Sequence, residues 1–408
     1  MASYMIEIFG DKMHRIPVNK SMGEFPSPEF FKYKILIRGK VDTADTVDDA
    51  KDTNGVKSNL EQESEKAKKN ENEDELKEKR NSIVEVTSSS DGHMDVPAGT
   101  ASTSELAAPT SPSTRSRGLI FSDSKKKVAK ELSKLINYIS NSKFISFEES
   151  AKNGKFWQSS SFVEGDMESY ADKNAAAFIN FNRRQLSRIY PGGMRIDSSN
   201  YNPIKAWNVG SQIVALNHQT NDEPMALYYG KFRQNGKAGY VLKPAFLRDP
   251  SIKFNPNSIT KPTIGSKVLK MTIISGQQLP EEPDSWAFAK DVPDPYVLVQ
   301  VYGVPADEFI FTTSTHYDNS FNPTWNESFE TKILVPELAM IKFSVYDKDI
   351  GFDDFIGQST LPFESLQQGY RHVPLLDKEG VAIPCASIFI HVLCEELVQN
   401  SQHKDQSN

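Results

Sequence analysis

Cysteine is almost absent from this 408-residue chain, which carries only Cys385 and Cys394. Two thiols cannot staple a fold of this length, so a disulfide framework is excluded and a reducing compartment is expected. Long apolar runs are also missing. No stretch reaches the roughly 18 apolar residues of a membrane helix, and residues 1–10 lack the basic, apolar, small-residue order of a secretory leader. The chain therefore reads as intracellular, with neither a span nor an export signal. A basic field is the third absence: 47 basic residues stand against 54 acidic ones, for a net charge of −7. Nucleic acid is not an expected partner, and any anionic ligand must be met by a local cluster of cations.

What is present is unevenly distributed. Residues 42–85 hold 14 acidic and 8 basic side chains, which accounts for nearly all of the net charge. From 42 to 124 the composition is Asp, Glu, Lys, Ser, Thr and Asn, too poor in apolar residues to offset ordering entropy, and it reads as a disordered acidic linker. A short helix over 60–80 is conceivable from its Glu and Lys spacing, but its faces are polar all round. Before the linker, residues 33–38 (Tyr-Lys-Ile-Leu-Ile-Arg) read as a buried strand after the turn signal Pro26-Ser27-Pro28. Beyond it, residues 124–138 show helical apolar spacing at Val128, Leu132, Leu135 and Ile136. Short apolar runs follow at 144–147, 186–190, 212–217 and 240–243, with a helical window at 168–184. Strands alternating with helices predict parallel βαβ units.

From Lys267 the texture changes. Strand-like segments at 267–274, 295–302, 309–313, 327–333, 340–346 and 386–393 are separated by Pro, Gly, Asp and Asn, the pattern of an all-β sandwich of about 130 residues.

Three segments carry a family resemblance. The strongest is Leu186-Ser187-Arg188-Ile189-Tyr190-Pro191, continuing through Asp197-Ser198-Ser199-Asn200-Tyr201-Asn202-Pro203, Trp207 and Gln212-Ile213-Val214-Ala215-Leu216-Asn217. It closes with Gly239-Tyr240-Val241-Leu242-Lys243-Pro244 and Phe246-Leu247-Arg248-Asp249. This run resembles the Y half of eukaryotic phosphoinositide-specific phospholipase C, most closely the delta type. Ile8-Phe9-Gly10-Asp11, Pro26-Ser27-Pro28-Glu29 and Lys34-Ile35-Leu36-Ile37-Arg38-Gly39-Lys40 are similar to the end of its X half, and the C-terminal sandwich resembles a C2 domain. The resemblance implies an α/β plus all-β fold: a partial (β/α)8 TIM barrel, made of the last X strand and the Y half, followed by a C2 β-sandwich. The implied division is residues 1–41 for the end of the X region, 42–124 for the X/Y linker, 125–250 for the Y region, 262–396 for the C2 domain and 397–408 for a tail.

Ligands of such barrels sit at the C-terminal ends of the strands. Positions matching the family's substrate grip are Lys40, Ser161, Arg188 and Tyr190, with Arg38 where the family usually has Lys. The chemistry suits a polyphosphorylated inositol: guanidinium forks and an ammonium for phosphates, a hydroxyl donor, and an aromatic face for the ring. Alternatively, Ser161 caps a helix and Arg188 makes a surface ion pair. Phospholipases of this family use two histidines as acid and base and a catalytic calcium, all held by the early X half. None of the seven histidines stands in such a motif, so no catalytic residue is assigned. The chain starts after those X strands, and an open half-barrel would expose edges and an apolar interior. The expectation is a chain inactive by itself, whose X half is supplied in cis or in trans.

In the sandwich, Asp294, Asn322, Asp347, Asp349 and Asp354 match the C2 calcium loops, since calcium takes six to eight oxygens and clustered loop carboxylates supply them. Phe288 stands where many C2 domains have an aspartate, with Asp291 nearby, and the third loop is one residue short. The alternative is that these aspartates only shape turns. The implied function is calcium-dependent hydrolysis of phosphatidylinositol 4,5-bisphosphate to diacylglycerol and inositol trisphosphate in signalling, by a cytoplasmic protein held peripherally at the anionic inner face of the plasma membrane. The competing reading is a non-catalytic phosphoinositide- and membrane-binding protein. The acidic linker would be repelled by an anionic bilayer and could restrain activity, or serve only as a tether.

Overall fold

Burial alternates along residues 186–190, as in a strand with one face on helices and the other toward a barrel interior, while along 158–163 the neighbouring Ser159 and Ser160 are both buried. The computed structural model describes residues 1–41, 130–263, 265–280 and 292–397. The acidic stretch, its conceivable helix at 60–80 and the tail beyond Leu397 lie outside the described residues.

Five strands, β1 (Arg38–Gly39), β2 (Ile139–Asn141), β3 (Gln158–Val163), β4 (Leu186–Tyr190) and β5 (Ile213–Val214), form one sheet in chain order. Every neighbouring pair is parallel. Unbroken sequential order is the winding of a barrel, whereas a doubly wound sheet reverses its order at a switch point. The helices are α1 (Ala2–Phe9), α2 (Lys130–Ser133), α3 (Phe147–Asn153), α4 (Glu164–Lys173), α5 (Ala175–Arg184), α6 (Ile204–Asn208), α7 (Glu223–Lys231) and α8 (Ala245–Arg248).

Local chemistry moves several expected boundaries. The run 33–38 is not a continuous strand: Tyr33 has a positive φ and is exposed, Ile35 makes a single parallel bridge to Met13, and the ladder begins only at Arg38. An apolar run pairs only where a partner strand meets it, and β2 reaches no further than Arg38 and Gly39. The run 144–147 is not a strand either. Ser146 Oγ accepts from Glu149 N (3.1 Å) and caps α3, so Phe144 and Phe147 enter an aromatic cluster. Residues 240–243 form a loop in which Lys243 Nζ donates to the carbonyls of Asn182 (2.8 Å) and Gly210 (3.3 Å). The helical window 168–184 is two helices broken at Asn174. The helix expected at 124–138 is described from Lys130 and closes at Ser133, with Leu135 and Ile136 buried beyond it.

The second part is an antiparallel assembly of β6 (Lys267–Gln277), β7 (Pro295–Tyr302), β8 (Phe309–Thr312), β9 (Thr324–Ile333), β10 (Met340–Asp347), β11 (Asp354–Pro362), β12 (Gly369–Leu376) and β13 (Ala382–Glu396). Its order is β8-β7-β10-β11-β12-β13-β6-β9. Two four-stranded layers meet through Gln358 opposite Leu376 and enclose a core that includes Leu269, Val299, Phe343, Leu375 and Ile388. Strands β11 and β12 are additional to the expected set. In β11 the residues Gln358, Ser359 and Thr360 are all buried, which removes the alternation that marks a half-exposed strand.

Ser359 faces the sandwich core opposite Phe343, while helix α7, which packs on β10 and β11, covers the face that carries Gln358 and Thr360. Its Glu223 accepts from Tyr302 Oη (2.6 Å) and from Lys342 Nζ (3.3 Å). Asn208 Nδ2 donates to Gly303 O (2.7 Å), and Val304, Leu334, Val335, Leu338 and Met340 join the same buried cluster as Phe178, Trp207 and Leu227. Lys231 lies over the Trp207 ring (5.2 Å), and burial pushes its ammonium down to about 8 against the pull of Glu364. The half-barrel and the sandwich thus share one buried cluster, beside the sandwich's own core.

Gly230 sits directly against β11. A Cβ there would stand 2.6 Å from Thr360 Cγ2 and 2.9 Å from Thr360 O, too near for the facing strand to absorb. Gly230→Leu is expected to cost about 1–3 kcal/mol by overpacking and to lower the melting temperature. An unchanged melting temperature would show that α7 is not seated on β11.

Candidate functional site

Parallel strands deliver their carboxyl ends to one rim, and alternation decides which side chains face inward. On β3, Phe162 packs outward among Phe144, Phe178 and Phe181, so Ser159 and Ser161 face the interior. On β4, Ser187 and Ile189 are buried outward, which turns Arg188 and Tyr190 inward. Register places Ser161 beside Arg188 and Val163 beside Tyr190.

Arg38, from β1, reaches across this face. Its Nη2 donates to Ser161 Oγ (2.8 Å) and its Nε to Ser159 Oγ (3.1 Å). The Arg188 guanidinium lies over the Tyr190 ring, 5.0 Å from its centroid. Burial, and then the like charge of Arg188, hold Arg38 below its ordinary range. Among the described residues no carboxylate is paired with either guanidinium. Two such cations with no acid between them make a site for an anion. Lys40 follows β1 and is exposed. Of the expected grip, Arg38, Ser161, Arg188 and Tyr190 are brought together. Ser159, and Asn141 whose Oδ1 accepts from Ser159 Oγ (3.2 Å), escaped the sequence reading, although a period-two step from Ser161 along the same strand face would have found Ser159.

The loop after β4 is fixed by Glu164. Its carboxylate accepts from Arg195 Nε (2.7 Å), Arg195 Nη2 (2.6 Å) and Gly192 N (2.5 Å), and the Arg195 contact holds it below the usual carboxylate range. That loop presents Met194 and Ile196, 91% and 94% exposed. The neighbouring motif residues are architectural. Asp222 accepts from Asn200 N (2.8 Å), Asn200 Oδ1 accepts from Asn217 N (2.6 Å), and Tyr201 Oη donates to Ala215 O (3.2 Å). A separate cavity of about 250 Å³ between α3 and α5, lined by Phe147, Ala151, Phe181 and Arg184, shares no residue with the strand-end set.

Five histidines lie among the described residues, and each has aromatic neighbours. His14 is buried edge-on to Phe31 (5.2 Å) and Tyr138 (5.3 Å); His218 meets Tyr228, His316 Trp325, His372 Phe389 and His391 Tyr370. None is hydrogen-bonded or ring-packed to Arg38, Ser161, Arg188 or Tyr190.

At the loop end of the sandwich, Asp347 accepts from Asp294 N (2.7 Å), Asp294 accepts from Asp318 N (2.7 Å), and Asp354 stands opposite Asp347 in the ladder. Burial pushes the Asp347 carboxyl up, opposed by that backbone hydrogen bond and reinforced by Asp349, Asp294 and Asp354. Asn322 N donates to Asn319 Oδ1 within its own turn, and Lys348 pairs with Asp353 (3.0 Å). Among the described residues no three acidic, imidazole or thiol side chains are grouped to hold a metal ion. The five expected ligands are therefore assembled only in part, and Asp318 is the neighbour that sequence reading missed. Phe288 and Asp291 lie outside the described residues.

Comparison with known proteins agrees with this architecture. Residues 132–246 match the Y domain of phosphatidylinositol-specific phospholipase C, and residues 267–376 match the C2 domain. "Inactive phospholipase C-like protein 2" of Mus musculus is 37% identical over 393 residues, covering 96% of this chain and 31% of that protein. The human "1-phosphatidylinositol 4,5-bisphosphate phosphodiesterase delta-1" is 42% identical over 277 residues, covering 67% of this chain and 36% of that protein. The crystal structure of S. officinalis PLC21 superposes with a TM-score of 0.70 at 27% identity, over 98% of this chain and 43% of the other. The chain thus spans about a third of the length of the curated relatives it matches. With a half-barrel wound as in PLC21, a Y domain and a C2 domain in series, the chain belongs to the phosphoinositide-specific phospholipase C family, whose members similar to it include both delta-type enzymes and inactive phospholipase C-like proteins.

Proposed function

We propose that this chain recognises phosphatidylinositol 4,5-bisphosphate at an anionic membrane surface and does not hydrolyse it unaided. The observation that carries the reading is the pairing of Arg38, forked onto the Ser159 and Ser161 hydroxyls, with Arg188, which lies over the Tyr190 face, neither having an acidic partner among the described residues. Guanidinium forks take phosphate oxygens, and the aromatic face takes the inositol ring. Met194 and Ile196 would enter the bilayer beside the site. At the sandwich, Ile350 and Phe352, 109% and 93% exposed, do the same at the tips of the acidic loops. The protein is then cytoplasmic and peripheral, and among the described residues no helix is long and apolar enough to cross a membrane.

Hydrolysis to diacylglycerol and inositol trisphosphate needs a proton acceptor and donor at the scissile phosphate. Among the described residues no imidazole is placed against the grip, so the reaction is assigned to the family and recognition to this chain. The carboxylates available to calcium are those of Asp294, Asp347 and Asp354, with Asp349 and Asn322 on the adjoining loops. Among the described residues these do not close a metal cradle, and attachment is carried by the apolar tips.

The test is co-sedimentation of the 408-residue chain with phosphatidylcholine vesicles, with and without phosphatidylinositol 4,5-bisphosphate, in calcium and in chelator, while soluble inositol phosphate is measured. Binding that requires the phosphoinositide, with no release, is expected. Release would overturn the assignment of recognition alone, and binding indifferent to the phosphoinositide would overturn the grip.

A further inference from the structure

The geometry points to Ser159 and Asn141 as positioning residues that set the Arg38 fork and make the strand-end site selective for a ring carrying more than one phosphate monoester. This inference rests on the reading of that site as a phosphate grip. Ser159 is fully buried, with 0% exposure, and its hydroxyl has one proton to give. That proton goes to Asn141 Oδ1 (3.2 Å), a residue paired with Ser159 across the β2–β3 ladder. The oxygen lone pairs of Ser159 are thereby left for Arg38 Nε (3.1 Å). A relay across β1, β2 and β3 thus runs from the Asn141 carbonyl through the Ser159 hydroxyl to the guanidinium, and Ser161 Oγ takes one hydrogen of Nη2 (2.8 Å).

Those two bonds fix the guanidinium plane through its inner edge. The N–H groups of Nη1 and the remaining one of Nη2 are left to an external oxygen anion, in the parallel arrangement that a phosphate accepts. Without the relay, the like charge of Arg188 would drive the Arg38 side chain away from the site, and its many rotamers would have to be ordered again on binding. An ammonium at this position could not be locked in the same way, because it is a compact point charge with no planar fork. Ser159 and Asn141 do not themselves meet the ligand in this assignment; they act through Arg38.

A double-mutant cycle tests the coupling, with soluble inositol 1,4,5-trisphosphate and inositol 1-phosphate as probes in calorimetry of the whole chain, and phosphatidylinositol 4,5-bisphosphate vesicles as the lipid arm. Ser159→Ala is expected to weaken trisphosphate binding about tenfold and to leave the weak monophosphate binding nearly unchanged. In an Arg38→Lys background the same substitution is expected to add no further loss, because the Nε donor is already gone. Asn141→Ala, at a part-buried position, should repeat the pattern with a smaller loss, and Ser159→Thr, which keeps the hydroxyl, should restore binding. Equal losses in both backgrounds, or no loss at all, would overturn the positioning role. Absence of binding by the unmodified chain, or binding untouched by Arg188→Ala, would instead overturn the phosphate grip on which the relay rests. A loss seen with trisphosphate and not with vesicles would assign the relay to a free inositol phosphate, and the converse to the lipid headgroup.

Discussion

Arg188→Ala is expected to weaken binding to phosphatidylinositol 4,5-bisphosphate vesicles by roughly ten- to a hundredfold while leaving the melting temperature close to that of the unmodified chain. A hydrogen bond to a charged group contributes about 1.5–3 kcal/mol, and a bidentate fork lies toward the upper end of that range. Among the described residues the side chain of Arg188 makes no ion pair with a carboxylate, and its neighbour is the Tyr190 ring at 5.0 Å. Its removal therefore leaves no buried acid unpaired, and it also relieves the repulsion that, after burial, holds Arg38 below its ordinary range. Arg188→Lys should fall between the two, since it keeps charge and loses the fork. Vesicle co-sedimentation at fixed salt reads the affinity. Equal binding by all three proteins would place recognition elsewhere, with the C2 loop tips as the first place to look.

Phe178→Ala should be the most destabilising truncation in the half-barrel, at about 3–5 kcal/mol. Phe178 has no exposed surface and lies 5.2 Å from Phe162, 5.5 Å from Phe147, 6.2 Å from Tyr170 and 6.3 Å from Phe181, ring centre to ring centre. These rings come from α3, α4, α5 and β3, so no single element can move inward to fill the void. Phe162 precedes Val163 and follows Ser161 on β3, and a void behind it would loosen the strand that carries the grip. Urea unfolding measures the cost, and the shared buried cluster predicts that the sandwich unfolds in the same transition. A loss below about 1 kcal/mol would mean that the aromatic cluster repacks freely.

Much of the architecture was legible before any coordinates. The short apolar run 186–190 and the strand-like segment 295–302 became β4 and β7 with the expected bounds, and burial alternates along both, one face on a core and one face away from it. The run 144–147 misled for a local reason: Ser146 offers a cap, and a capped turn competes with a strand for the same four residues. Strand β11 was hidden by its neighbours, since α7 covers the face that carries Gln358 and Thr360 while Ser359 faces the sandwich core opposite Phe343, and together they erase the alternation that would have marked it. The run 33–38 shows the opposite error, with strand-like composition and almost no partner.

The grip divides along the same line. The family resemblance named Arg38, Ser161, Arg188 and Tyr190 together with Lys40, and phosphate chemistry is consistent with those groups. That Ser159 and Asn141 hold the fork, that α7 closes on Thr360 at Gly230, and that Asp318 rather than Asn322 donates to Asp294 follow from contacts between residues far apart in the chain. Composition and periodicity act within a few residues and settle which segments can be strands, helices or phosphate ligands. Register and packing act across more than a hundred residues, as between Arg38 and Ser161, and only the folded chain decides which of those candidates come within reach of one another.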